Sequence, residues 1–248
     1  MALRSDHPLG IPEGMDEFFD QGFVGEVLNT IKAGKEATAY LCAGTRKLGA
    51  RYAVAKVYHE RDRRNFGNAA MYQEGRVILD ARARRAVSAT TEFGRTAEMA
   101  LWVDHEFEVL SALQYAGADV PEPYFATERA ILMSHVGGEE SAVQLQHARL
   151  TGGDVEVAFE RLMWNVELML RENWVHGDLS AFNVLWDGER PWVIDLPQAV
   201  DARTNPNARA LLERDLGNVA RYFGRHGISL DAEAVTRRMW GRYRRGEL

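Results

Sequence analysis

The sequence predicts an α+β fold in two lobes: a small N-terminal β-sheet lobe with one long helix, and a mainly helical C-terminal lobe. Three observations carry that prediction. Strand-like apolar runs crowd the first half, at 24–42, 51–58 and 130–136, with one long amphipathic stretch, 98–115, among them. Helical periodicity dominates the second half, at 154–173, from Asn205 onward and at 231–243. Between the halves, the last of these strands runs into the glycine pair Gly137-Gly138. The boundaries drawn are an N-terminal extension over 1–22, an N-lobe over 23–133, a hinge over 134–137 and a C-lobe over 138–248.

Residues 1–14 are rich in Pro, Gly and charge and read as loose. A short helix over 15–23 offers Phe18, Phe19 and Phe23 as anchors. Residues 24–42 read as two strands around a turn at 32–37. That turn holds Gly34-Lys35, and two readings stand: a plain hairpin, or a turn whose backbone N–H groups approach phosphate. It is not a Walker A loop, because Glu36 follows Lys35 and no spaced glycine precedes. The strand at 51–58 places Lys56 between Ala55 and Val57, where a lysine either snorkels out or meets an anion.

Residues 61–95 are heavily charged, with helical character near 77–87, and are expected to be the most mobile part of the chain. The helix at 98–115 aligns Met99, Trp102, Val103, Phe107, Leu110 and Leu113 on one stripe, with Glu106 inside it. An inward carboxylate needs a cation, and Lys56 is the natural candidate. The other reading is a rim glutamate where the helix leaves the core. Residues 120–124 read as an extended turn, and backbone groups near Ser134 and Val136 are placed to bond an adenine ring.

In the second half, Val155, Ala158, Leu162, Val166, Met169 and Leu170 form the buried stripe of one helix. Asn205-Pro206 opens the next, with Asn as cap and Pro in the first turn, and Leu211, Leu212, Leu216, Val219, Tyr222 and Phe223 line it. Asp231 caps the last helix.

Composition bounds the function. Of 248 residues, 46% are hydrophobic and 27% charged, which supports a packed core and argues against global disorder. A net charge of −6 argues against a wholesale nucleic-acid coat. Basic clusters at 61–64, 82–85 and 237–245 are either solvated faces or contacts for RNA. The single cysteine, Cys42, reads as core filler; it allows no intrachain disulfide and suits a reducing compartment. No run approaches the ~18 apolar residues of a membrane helix. The N-terminus lacks the apolar centre of a signal peptide, so the cytoplasm is the expected compartment, with no membrane partner.

The chemistry concentrates in Val175-His176-Gly177-Asp178-Leu179-Ser180-Ala181-Phe182-Asn183-Val184-Leu185-Trp186, an acid, a hydroxyl and an amide between two apolar ends. The spacing Asp178-x-x-x-x-Asn183 lets a carboxylate that accepts a hydroxyl proton and an amide that grips a metal face one ligand. After a return at Asp187-Gly188, the run Pro191-Trp192-Val193-Ile194 ends in Asp195, a second oxygen ligand. This is the layout of a protein-kinase-like catalytic loop followed by a metal aspartate. The other reading is a loop of ordinary turn residues.

Taken in order, Gly34-Lys35-Glu36-Ala37, Lys56, Glu106, His176-Gly177-Asp178-Leu179-Ser180-Ala181-Phe182-Asn183 and Ile194-Asp195-Leu196-Pro197-Gln198 resemble the RIO kinase family, in the pattern of its type-one branch. The resemblance runs from about 24 to about 225. It implies a two-lobed, protein-kinase-like fold and an ATP-dependent serine/threonine protein kinase, an ATPase that autophosphorylates, or both. It implies ATP with Mg²⁺ or Mn²⁺ as cofactors. It makes Asp178 the catalytic aspartate, and Asn183 and Asp195 the metal ligands. Lys56 becomes the phosphate-binding lysine held by Glu106, with Ser180 near the γ-phosphate. Asp195 is also the candidate for phosphorylation. Two alternatives accompany this reading: a nucleotide-driven switch on a ribosomal or RNA partner, and a small-molecule kinase of the aminoglycoside or choline type, which shares His176-Gly177-Asp178. The sequence departs from ordinary protein kinases in having Leu196-Pro197 after Asp195 and no Ala-Pro-Glu element, which leaves the protein substrate unnamed.

Overall fold

The computed structural model describes residues 11–59, 92–138 and 140–248. The loose start at 1–10, the basic clusters at 61–64 and 82–85, and the helical character near 77–87 lie outside the described residues, as does nearly all of the segment expected to be mobile. The described chain forms two compact units. The first holds residues 11–59, 92–108 and 122–135; the second holds 109–121 and 136–248.

In the first unit, β1 (Val24–Ala33), β2 (Ala37–Gly44), β3 (Tyr52–Tyr58), β4 (Pro123–Ala126) and β5 (Ala130–Ser134) form one antiparallel sheet in the order β1-β2-β3-β5-β4. Central β3 alternates in the way a sheet requires. Ala53, Ala55 and Val57 turn to one face, into a core with Met15, Phe18, Val24, Cys42, Ala130 and Leu132. The short helix α1 (Asp16–Asp20) drops Phe18 into that core, a burial worth about 1.5–3 kcal/mol, while Phe19 and Phe23 pack at its edge as expected. Burial pushes the Cys42 thiol up to about 12, which makes it an inert filler.

Two turns differ from expectation. The first connection is shorter than 32–37, because Lys32 and Ala33 already pair with Ala39 and Thr38. Pro123, expected in a turn, begins β4. That strand is the edge of the sheet, where a residue without an N–H is tolerated.

Helix α2 (Glu92–Tyr115) extends further toward the N-terminus than predicted. Its buried stripe is Met99, Trp102, Val103, Glu106, Val109, Leu110 and Leu113; Phe107 is only half-buried, and Val109 takes the place expected of it. The helix stops at Gly117, whose φ of +88° lets the Ala118 N–H reach back to the Leu113 carbonyl at 2.9 Å.

The second unit contains β6 (Val143–Gln144), β7 (Trp174–Val175), β8 (Val184–Trp186), β9 (Pro191–Val193) and β10 (Val200–Asp201), with helices α3 (Asp154–Arg171), α4 (Ala208–Gly224) and α5 (Ala232–Arg244). The strands pair as β6-β8-β9 and β10-β7. The stripe of α3 is buried as predicted except for Val155, which is half-buried. Phe159 and Phe223 meet edge to face at 5.3 Å and join α3 to α4.

Helix α4 starts at Ala208, not at Asn205. The Asn205 side chain accepts the Asn207 N–H at 2.8 Å, so it closes the preceding turn rather than capping the helix. Asp231 does cap α5, accepting from the Ala234 N–H at 3.0 Å. The basic tail is partly neutralised: Arg237 pairs with Glu233, Arg242 with Glu167 and Arg245 with Glu247.

Candidate active site

Lys56 sits on the central strand of the first unit, opposite Ala39 on β2 and Ile131 on β5. Its side chain leaves the sheet on the face opposite Ala55 and Val57. Nζ donates to both carboxylate oxygens of Glu106, at 2.8 and 2.9 Å. Glu106 is 1% exposed and Lys56 16% exposed, so the pair is largely withdrawn from water, with the ammonium nearer the surface. The Tyr58 ring lies 5.1 Å from Nζ. Of the two readings of Glu106, the inward carboxylate held by Lys56 is the one observed.

The β1–β2 turn carries exposed Gly34 and Lys35. The Gly34 N–H is committed to the Ala37 carbonyl at 2.9 Å, so Gly34 does not itself offer the open donor expected of it. The Thr38 hydroxyl bonds His59 Nε2 at 2.8 Å, and the His59 N–H reaches the Glu36 carbonyl at 2.9 Å, tying the turn to the end of β3. At the expected adenine position the Ser134 N–H is likewise committed, to the Glu122 carbonyl at 2.8 Å. The Val136 carbonyl accepts from the Ala142 N–H at 2.9 Å. The Ser134 N–H is thereby taken, while the Val136 carbonyl keeps a second lone pair for a donor.

In the second unit, β7 delivers the chain into the loop at His176. The imidazole is buried and bridges two segments. Its Nδ1 accepts the Asp178 N–H at 3.2 Å, so Nε2 carries the proton and donates to the Ile194 carbonyl at 3.1 Å. Asn183 closes the loop: its N–H donates to the Ser180 carbonyl at 2.9 Å, and its carbonyl accepts the Ile194 N–H at 3.0 Å. Asp195 follows immediately. A hairpin sets this geometry, with Val184 opposite Val193 and Gly188 at φ +102° in its turn. Asp187 accepts the Glu189 and Arg190 N–H groups there, both at 2.8 Å. Asp195 itself has φ +68°, a left-handed conformation rare for a side-chain-bearing residue and typical of functional positions.

The Asn183 side chain tests whether a metal fits. Its Nδ2 donates to the Asp178 carbonyl at 2.9 Å and lies 3.3 Å from the Asp178 carboxylate. Both are pure acceptors, which fixes the amide orientation and turns Oδ1 the other way. Oδ1 is buried and has no hydrogen-bond partner among the described residues. Such an orphan acceptor is costly unless something electropositive meets it. Among the described residues, no group of three or more His, Cys, Asp or Glu is placed to hold a metal alone. An ion here would complete its shell with phosphate and water, which is the habit of Mg²⁺. The buried Asn183 amide oxygen fits such an ion as one donor. Ser180 and Asp178 are both half-buried on the same loop.

One buried acid organises the loop and was not read from the sequence. Asp215 on α4 accepts the Gly177 N–H at 2.8 Å and the Leu179 N–H at 3.0 Å, so its carboxylate holds the backbone on both sides of Asp178. Arg214 donates to the Gly177 carbonyl, and Asn218 to the Leu179 carbonyl. Burial pushes the Asp215 carboxyl up to about 7. The two N–H bonds and Arg214 oppose that rise, and nearby Asp178 adds to it. The signal was available: Asp215 interrupts the stripe of Leu211, Leu212, Leu216 and Val219, as Glu106 interrupts its own.

The family follows from a match to the RIO domain over residues 40–236, most of the chain. The chain belongs to the RIO domain family. Among the relatives of this RIO domain is the serine/threonine-protein kinase RIO1 of Chaetomium thermophilum, 27% identical over 220 residues, which are 84% of this chain and 41% of the relative. The RIO-type serine/threonine-protein kinase Rio1 of Haloferax volcanii is 37% identical over 136 residues, 54% of this chain and 46% of the relative. The RIO domain described here thus spans less than half the length of either.

Two crystal structures of the Rio2 kinase of C. thermophilum match with a TM-score of 0.63 over 88% of this chain, at 21% and 23% identity; one of them is an ADP/Mg²⁺-phosphoaspartate complex. They cover 61% and 62% of those chains and establish the fold of this RIO domain as protein-kinase-like α+β.

Proposed function

We propose that this RIO domain is an ATP-dependent phosphotransferase of RIO type, acting with Mg²⁺ as a serine/threonine protein kinase, as an ATPase, or as both. The observation that carries the reading is the Asp178–Asn183 pair, in which one side chain fixes the other and leaves a buried oxygen facing away without a partner among the described residues. The kinase names of the family relatives support the same chemistry.

The residues then divide the work. Lys56, aligned by Glu106, binds the α- and β-phosphates of ATP, and Lys35 in the β1–β2 turn adds a second positive charge. Val136 contributes a backbone contact to the base. Asn183 Oδ1 and the Asp195 carboxylate hold the metal, and Mn²⁺ satisfies the same oxygen donors. When bound, the metal neutralises charge on the phosphate oxygens. Asp178 orients the acceptor hydroxyl and takes its proton, with Ser180 close to the γ-phosphate. Positioning and electrostatics supply the rate.

The phosphoaspartate in the Rio2 kinase of C. thermophilum favours a second acceptor in this chain, Asp195 itself. A carboxylate oxygen forms the bond to the γ-phosphorus as the bond to ADP breaks. Hydrolysis then returns the carboxylate and inorganic phosphate, which gives an ATPase cycle suited to a switch on a ribonucleoprotein partner. A cytoplasmic site of action belongs to the same proposal, supported by a lone, buried cysteine. Among the described residues no helix is long and apolar enough to cross a membrane.

Single-turnover labelling with γ-labelled ATP and Mg²⁺ tests the reading. Acid-stable label on serine or threonine indicates kinase action; hydroxylamine-sensitive label lost in Asp195→Asn indicates the switch. Label on an aminoglycoside or choline instead would move the activity to small-molecule phosphorylation. No consumption of ATP with any acceptor would overturn the reading.

A further inference from the structure

We infer that Asp119 is a positioning residue for the metal-binding carboxylate of Asp195, acting through strand β9; the inference rests on the phosphotransfer reading above. Asp119 lies just beyond α2, is 3% exposed, and gathers contacts from two other parts of the second unit. From α3, Arg161 donates to its carboxylate from Nε at 2.6 Å and from Nη2 at 3.1 Å. Also from α3, Asn165 donates to the carboxylate at 2.8 Å and accepts the Asp119 N–H at 2.8 Å. From the residue before β9, Arg190 Nη1 reaches the carboxylate at 3.3 Å. From β9 itself, the Val193 N–H donates to the Asp119 carbonyl at 2.8 Å.

A buried carboxylate is tolerated only when its charge is matched and its lone pairs are used, and here both conditions hold. The consequence falls on β9. That strand is three residues long and is the edge of the β6-β8-β9 sheet, so β8 holds one side alone. A strand so short has little direction of its own. The Asp119 carbonyl supplies the bond on its other side, two residues before Asp195. The Asp119 side chain fixes both that carbonyl, through Asn165 and Arg161, and the entry to the strand, through Arg190. Each guanidinium also lies over an indole ring, Arg161 over Trp164 at 3.9 Å and Arg190 over Trp192 at 4.6 Å. β9 then leads directly, through Ile194, into Asp195 and its left-handed backbone conformation.

The test compares ADP affinity with Mg²⁺ and with EDTA, by calorimetry, for the whole chain and its variants. The ratio of the two affinities reads metal coordination separately from folding and turnover. In Asp119→Ala the ratio falls about tenfold, as for other groups that orient a metal ligand, while the affinity in EDTA is unchanged. Arg190→Met, at a half-exposed position, gives a smaller fall in the same direction, and decides the matter if Asp119→Ala does not fold. Amide exchange over 191–195 accelerates in both variants. A ratio equal to that of the unmodified chain in a folded variant would overturn the role of Asp119 alone. No Mg²⁺ enhancement in the unmodified chain would overturn it together with the phosphotransfer reading.

Discussion

The Asn183 amide nitrogen lies 2.9 Å from the Asp178 carbonyl and 3.3 Å from its carboxylate, so the residue proposed to hold the metal also fixes the residue proposed to orient the acceptor. Removing the amide therefore acts on both. Asn183→Ala is expected to lower the Mg²⁺-dependent gain in nucleotide affinity by about tenfold or more, with the metal-free affinity retained. Titration of Mg²⁺ against a fluorescent nucleotide checks this; an unchanged Mg²⁺ midpoint would remove Asn183 from the metal.

Breaking the Lys56–Glu106 pair from the acid side removes the carboxylate that accepts from the ammonium at both oxygens, in a largely dry place. Glu106→Ala is expected to cost about 3 kcal/mol of stability, the low end for a buried pair because Lys56 keeps some exposure. The double variant Lys56→Met with Glu106→Leu is expected to recover most of the loss, since both charges of the pair are replaced by apolar side chains of similar volume. Urea unfolding of the three proteins separates these outcomes. An unaltered midpoint in Glu106→Ala would show that the pair contributes nothing to stability.

Asp215 gives a pH dependence of definite sign. Its carboxyl is raised from 3.8 to about 7 in the folded chain, so between those values the folded state binds the proton that the unfolded state has released. Stability therefore falls as pH rises through that window. In Asp215→Asn this contribution to the slope disappears. The amide retains only one acceptor for the Gly177 and Leu179 N–H groups, at a cost of about 1–3 kcal/mol. Unfolding free energies measured from pH 4 to pH 8 check both; a slope preserved in the variant would assign the titration to another group.

Much of the architecture was legible because single residues broke a local pattern. Lys56 is a charge in an apolar strand and Glu106 a charge in an apolar helical stripe, so each predicted the other. The loop from His176 to Asn183 stood out as polar groups between two apolar ends. Asp215 carried the same kind of signal as Glu106, but its partners are backbone N–H groups, which leave no complementary residue in the sequence to point back to it. Asp119 was illegible for another reason. It stands in an irregular segment between Gly117 and Pro121, where no periodicity says which way a side chain turns. The misplaced start of α4 and the closed backbone groups at Gly34 and Ser134 share one cause. A donor or acceptor can be assigned a task from sequence, but its competing local partner is visible only in the fold.

The central claim is that Asp178 orients the acceptor hydroxyl while other residues bind the nucleotide. Its most direct test is Asp178→Asn, with ATP turnover and ADP–Mg²⁺ affinity measured on the same preparation. Loss of a positioned general base predicts turnover lower by about 10²–10⁴-fold with nucleotide affinity preserved. Turnover equal to that of the unmodified chain would contradict the account.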